Sequence, residues 1–409
     1  MVHPRRAAQG LRRRDDAAGN RGTAPTLSAA SPWRPFSTGR PMIRMPLLAA
    51  GALLLGLSGA SAQDAPGAKP DALKAMLESD SLVFNGVTRS QDGRIFSPFQ
   101  RQTKDKGLEL GEWRDGKPVA YPNDAWNSWK QGDDPAKAFV AVNAIRIGPD
   151  GDLWVVDKGF PSMGDAPLPG GPKLVQIDLS RNAVRKVYPL QAGTTDKSFI
   201  DDFRFNGRKV YLTDAGQPGL IVLDLDTGAL RRVLDGHWST IAQRPLTGQG
   251  RVLRDDKGKL LAIHADQLEV SPDGKTFYYQ ACTGPLYSIE TRWLDDEGAS
   301  DAERGKHVKL HAATVATGGT AIDADGNIYA SDTDALRVLK ITPDGTMSTL
   351  VQDPRLVWVD AMWIDEAGGL WIPAAQMNRT PAMNGGESSA VKFPTTIYRM
   401  EIGAKPVKN

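Results

Sequence analysis

The sequence predicts an all-β protein, a six-bladed β-propeller, and three observations carry the prediction. One short unit recurs six times: a polar or small residue, an alternating apolar strand, a tight glycine turn, and a strand bearing an aromatic. Five of the turns are Asx-Gly, the pair that best tolerates the positive φ a two-residue hairpin requires. The copies start roughly 40 to 65 residues apart, the span of a four-stranded blade.

The first copy runs from Asn85-Gly86-Val87 to Phe96, and the second from Asn143-Ala144-Ile145 to Trp154. The third runs from Asp201-Asp202-Phe203 to Tyr211, and the fourth from Asp266-Gln267-Leu268 to Phe277. The fifth runs from Gly318-Gly319-Thr320 to Tyr329, and the sixth from Asp360-Ala361-Met362 to Trp371. Third strands follow at 174–177, 219–223, 285–289 and 337–341, and 396–400 belongs to the last blade. The repeated aromatics are placed as packing between blades. A short helix is expected near Asp71–Glu78, and no long stretch has helical period.

The chain is expected to divide into an unstructured extension over 1–41, a signal peptide over 42–62 and the propeller over 63–409. Arg44 precedes an apolar run from Leu47 to Leu57, and Ala60-Ser61-Ala62 forms an A-x-A cleavage site before Gln63. The run is too short to span a bilayer, so no integral membrane span is expected in the mature chain. Met42 or Met45 is the expected start, and the periplasm or the exterior the expected location. Cys282 is the single cysteine, which excludes an intramolecular disulfide. Nine Arg and two Asp fall in residues 1–62, so the remainder is mildly acidic and shows no electrostatic footprint for nucleic acid.

In a propeller the first strand of each blade lies innermost, so its opening residue faces the axis near one mouth. The openings form a candidate ring of Asn85, Asn143, Asp201, Asp202, Asp266 and Asp360. All offer oxygen and none is Cys or His, which suits a hard cation such as Ca²⁺, alternatively Mg²⁺ or Mn²⁺. Asn and Asp at strand starts also cap turns, so a structural role stands beside the ligand role. His264 lies two residues before Asp266 and is a candidate general base. Asp266 and Asp360 are candidate catalytic carboxyls. Asn85, Asp202, Trp358, Gln376 and Asn378 are candidate ligand-binding residues. Asp157, Asp214 and Asp332 close the second strands and are expected to brace turns. Tyr121, Trp126 and Trp129 either lid a planar ligand or pack over a blade edge. No nucleotide-binding loop, serine elbow or Cys-x-x-Cys motif appears, so no nucleotide or redox cofactor is expected.

Several stretches resemble the yellow / major royal jelly protein family. They include Tyr121-Pro122-Asn123-Asp124-Ala125-Trp126-Asn127, Leu153-Trp154-Val155-Val156-Asp157, Tyr211-Leu212-Thr213-Asp214-Ala215-Gly216 and Arg355-Leu356-Val357-Trp358-Val359-Asp360. The resemblance implies a six-bladed propeller. Members include proteins linked to dopachrome conversion, binders of small amines or sterols, and nutritive proteins, and bacterial members carry dopachrome tautomerase-related or gluconolactonase labels. More distantly the chain is similar to regucalcin / gluconolactonase propellers. That likeness implies a divalent metal on Asn143, Asp201, Asp266 and Asp360. Those relatives open one blade with Glu-Gly-Pro where this chain has Asn85-Gly86-Val87, a missing carboxylate that speaks against lactonase chemistry.

The function expected from the sequence is therefore a small-molecule site at the axial mouth. It would serve a metal-assisted isomerase or hydrolase, dopachrome tautomerase-like or gluconolactonase-like. The alternative is a non-catalytic binder with the same pocket. A scaffold acting through its outer faces ranks below both.

Overall fold

The computed structural model describes residues 72–100 and 107–407; the extension and signal peptide expected over 1–62 lie outside them. Six four-stranded antiparallel sheets follow one another along the chain, the arrangement of a six-bladed propeller. The innermost strands are Thr88–Arg89, Val142–Ile147, Ile200–Asn206, Ala265–Val270, Thr320–Ile322 and Trp363–Ile364. Each belongs to one of the six repeats. Two short α-helices, Thr291–Asp295 and Asp301–Lys306, sit between the third and fourth strands of blade four.

The ring closes by borrowing. Blade six takes its outermost strand, Lys74–Ser79, from the N-terminal side, paired antiparallel with Thr395–Glu401. The helix expected near Asp71–Glu78 is thus a strand from Lys74 onward. Lys, Ala, Met, Leu and Glu favour a helix in isolation, but the open edge of blade six satisfies the backbone groups of a strand there, and tertiary pairing outweighs a weak local preference.

The repeated aromatics are all buried. Trp154 of blade two meets Phe205 of blade three edge to face at 5.1 Å, and Tyr211 of blade three meets Phe277 of blade four at 5.1 Å. They are packing between blades, as the repeat predicts. The acids closing the second strands brace turns, also as expected. Asp157 accepts from the backbone N–H of Val140, Ala141 and Gly159 and from Lys173 Nζ at 2.6 Å. Asp214 accepts from Ser198, Phe199 and Arg232. Asp332 accepts from Asp334, Ala335 and Arg337.

A shared irregularity sets which residues reach the axis. In blades two, three and four the first strand carries one extra residue at its polar opening. Val142 pairs with Asp157 but Ile145 with Val155; Ile200 pairs with Asp214 but Phe203 with Leu212; Ala265 pairs with Ala281 but Leu268 with Tyr279. Such a bulge resets the alternation, so residues three apart come to share a face.

Candidate functional site

The openings do meet. Asn85, Asn143, Asp201, Asp202, Asp266 and Asp360 line one axial cavity of about 10 Å³, room for about one water. Blade five opens on Gly318 and Gly319 ahead of Thr320, and the two glycines have a steric reason. A Cβ on Gly319 would stand 2.3 Å from the carbonyl carbon of Asp360, and one on Gly318 would stand 2.4 Å from the Val359 oxygen.

The ring is a relay running from blade to blade. Asn85 Nδ2 donates to Asn143 Oδ1 at 3.1 Å, and Asn143 Nδ2 donates to the carboxyl and the backbone oxygen of Asp201. The Asp201 and Asp266 carboxyls share a hydrogen bond, which raises the pKa of Asp266 and lowers that of Asp201. Burial is the largest influence on both, and the net effect pushes Asp201 up to about 6 and Asp266 well above the usual carboxylate range. Asp360 is likewise raised, by burial and then by the charge of Asp201. Both shifts favour a proton shared by the pair over two ionised carboxylates. Gln267 Nε2 donates to Asp266 Oδ1 at 3.0 Å and steadies it.

Lys158 was not legible from the repeat. It follows Asp157 at the end of a second strand, is buried, and donates from Nζ to Asn143 Oδ1 at 3.1 Å. The Phe160 and Phe199 rings lie 5.3 and 4.9 Å from the Nζ. Burial lowers its pKa, while Asp201, Glu109, Asp157 and Asp360 oppose that shift. Lys158 also lines a larger cavity of about 410 Å³ in the mouth, with Phe99, Glu109, Phe160, Met163 and Met383. One side chain thus belongs to both the roomy cavity and the ring. Its signal in sequence was slight, a lone lysine in an apolar segment of a single blade.

The other predicted residues separate. Asp202 is spent as a counter-ion: its Oδ2 takes Arg204 Nη1 at 2.6 Å, and these contacts with Arg146 and Arg204 hold its pKa low although burial works the other way. His264 lines neither the ring cavity nor the mouth cavity; its Nδ1 accepts from the Ala242 N–H at 3.0 Å. Trp358 is core, packed with Leu246, Leu253 and Met383, while its indole hydrogen-bonds Asp360. Gln376 is engaged with Lys392 and Arg379, and Asn378 with Gln249. Their neighbours Met377 and Met383 line the mouth instead. Tyr121 and Trp129 are buried and Trp126 packs on Phe139 at 4.9 Å, so this segment covers a blade rather than a ligand.

A model of the major royal jelly protein family matches residues 140–405. The chain belongs to that family. No curated protein matches it. Among solved structures, this royal jelly family member is similar to a protein assigned as a gluconolactonase, at 13% identity over 83% of this chain and 96% of the other, with a TM-score of 0.50. A gluconolactonase from Xanthomonas campestris matches at 13% identity over 80% of this chain and 88% of its own, with a TM-score of 0.47. Virginiamycin B lyase from Staphylococcus aureus matches at 13% over 73% and 80%, with a TM-score of 0.43. Identities this low speak to the fold alone.

The ring as arranged does not fit a divalent cation. Among the described residues no three His, Cys, Asp or Glu side chains converge as a ligand set. Asn143 presents nitrogen to Asp201, its oxygen is taken by Asn85 and Lys158, and the Lys158 ammonium already supplies a positive charge there. Among the described residues no helix is long and apolar enough to cross a membrane.

Proposed function

We propose that this chain is an exported protein that binds a planar small molecule in the mouth cavity and moves a proton on it, as a dopachrome tautomerase-like isomerase would. The observation that carries this reading is the double placement of Lys158, in the cavity wall and on the ring. A planar ligand seated against Phe99 and Phe160 would lie over an ammonium and, beyond it, a carboxyl pair holding a proton. Lys158 would orient a carbonyl or phenolate oxygen. Lys158 would give a proton to one ligand atom and, once neutral, take one from another, which is what a tautomerisation requires; Asp201 and Asp266 line only the ring cavity and would act through Lys158. The substrate ring would supply the electron sink, so no step needs a metal. Gluconolactonase-like hydrolysis draws less support, because the candidate base His264 lies outside the mouth and the mouth's carboxylate, Glu109, accepts from the Val142 N–H.

The test uses purified full chain against aminochromes and aromatic lactones. Thermal stabilisation together with product by mass spectrometry supports the enzyme. Stabilisation without product leaves a binding protein, the alternative reading. A Lys158→Met variant that folds and keeps full turnover would remove the proposed site. Detection of the mature chain in a periplasmic or culture-supernatant fraction checks the export.

A further inference from the structure

At the other end of the inner strands a second set of charges meets, and the mouth site does not use it. Arg146, Arg204 and Glu269 lie three residues past Asn143, Asp201 and Asp266, and the bulges return them to the axis. Arg204 is fully engaged. Its Nε and Nη2 make a fork on Glu269 at 2.8 and 2.8 Å, and its Nη1 donates to Asp202 at 2.6 Å. Glu269 also accepts from Thr320 Oγ1 at 2.8 Å. Both acids are therefore occupied by one arginine.

Arg146 is the arginine left over. Its side chain is 11% exposed, its contact to Asp202 is a long 3.4 Å, and its buried Nε has no hydrogen-bond partner. Burial and the adjacent Arg204 both hold its pKa below the usual arginine range. A guanidinium carries five donors in a rigid plane, and leaving them unmade away from water is costly. The Arg146 side chain borders a cavity of about 80 Å³ walled by Phe205, Ile322, Trp363 and Val407, with its Nε turned into the protein. That cavity continues into one of about 150 Å³, sharing Ile147, Trp363, Ile364, Pro406 and Val407.

We propose that this second mouth binds a small organic monocarboxylate. Its two oxygens face the Nη end of Arg146, and its apolar body lies along Trp363, Ile364 and Val407. The planar fork matches a carboxylate. The apolar walls select an organic acid over an inorganic anion. Asp202 and Glu269 beside the fork disfavour a dianion, so phosphate monoesters are disfavoured on charge. The inference is independent of the mouth reading, since it rests on different residues at the opposite end.

The experiment uses the full chain with benzoate and 4-bromobenzoate as probes and benzamide as the uncharged match. Near neutral pH, saturating benzoate should raise the melting temperature by about 2 °C or more, and benzamide should not. Arg146→Met should lose the shift. Arg146→Lys, which keeps the charge without the fork, should weaken binding by about tenfold. Bromine anomalous density beside Arg146 in a soaked crystal would support the site without any variant, should Arg146→Met fail to fold. Equal shifts from benzoate and benzamide, bromine bound elsewhere, or only water on Arg146 in the soaked crystal would each overturn it.

Discussion

Lys158 Nζ donates to Asn143 Oδ1 at 3.1 Å, and through that contact a buried ammonium sits among the acids Asp201, Glu109, Asp157 and Asp360. Its charge restrains the pKa rise of Asp201. Replacing it with an apolar side chain should leave the ring's carboxylates without a counter-charge. Lys158→Met is expected to lower the melting temperature more at about pH 8, where those acids must ionise, than at about pH 5, where they can take protons. Parallel thermal melts at the two pH values check this; an equal loss at both would mean that Lys158 acts by packing alone.

The ring should make stability depend on pH in a direction opposite to that of most acids. Asp201 is raised from 3.8 to about 6, so the fold prefers its neutral form. That contribution is fully present below about pH 4 and is lost as pH rises through about 6. Asp266 and Asp360 are shifted in the same direction. Asp201→Asn is expected to flatten the decline between about pH 4 and 6, by on the order of 1–3 kcal/mol. Urea midpoints across that range measure the slope, and an unchanged slope would assign it to other groups.

The fork between Arg204 and Glu269 is nearly water-free, with side chains 8% and 3% exposed. Removing the arginine strands two buried acids, Glu269 and Asp202. Arg204→Ala is expected to cost about 3–5 kcal/mol. Glu269→Gln keeps one acceptor and the Thr320 contact, and should cost clearly less. Chemical denaturation of both variants gives the comparison.

Gly319 is required by close approach rather than by φ. A Cβ there would lie 2.3 Å from the Asp360 carbonyl carbon and 2.5 Å from the Ala361 nitrogen, neither of which can move without shifting blade six. Gly319→Ala is expected to cost more than about 2 kcal/mol. Gly207→Ala, at φ +59 with nothing within 4 Å, should cost only about 1 kcal/mol. Equal losses would mean that backbone conformation, not contact, sets both.

The repeat of polar opening, alternating strand, Asx-Gly turn and aromatic determined the six blades, their inner strands and the polar ring. Those features depend on spacing along the chain, which a sequence displays directly. The tertiary structure decided what spacing does not encode. It turned Lys74–Ser79 into a strand, because the edge it pairs with lies more than three hundred residues away in sequence. It drew Lys158 onto the ring although that lysine belongs to no repeat. It tied Asp202 to Arg204 as a counter-ion and left His264 on the Ala242 backbone. Arg146, Arg204 and Glu269 were visible as charges in apolar strands, but strict alternation places residues three apart on opposite faces. The bulge at each opening reverses that, and a bulge is a property of two paired strands, not of one strand's residues.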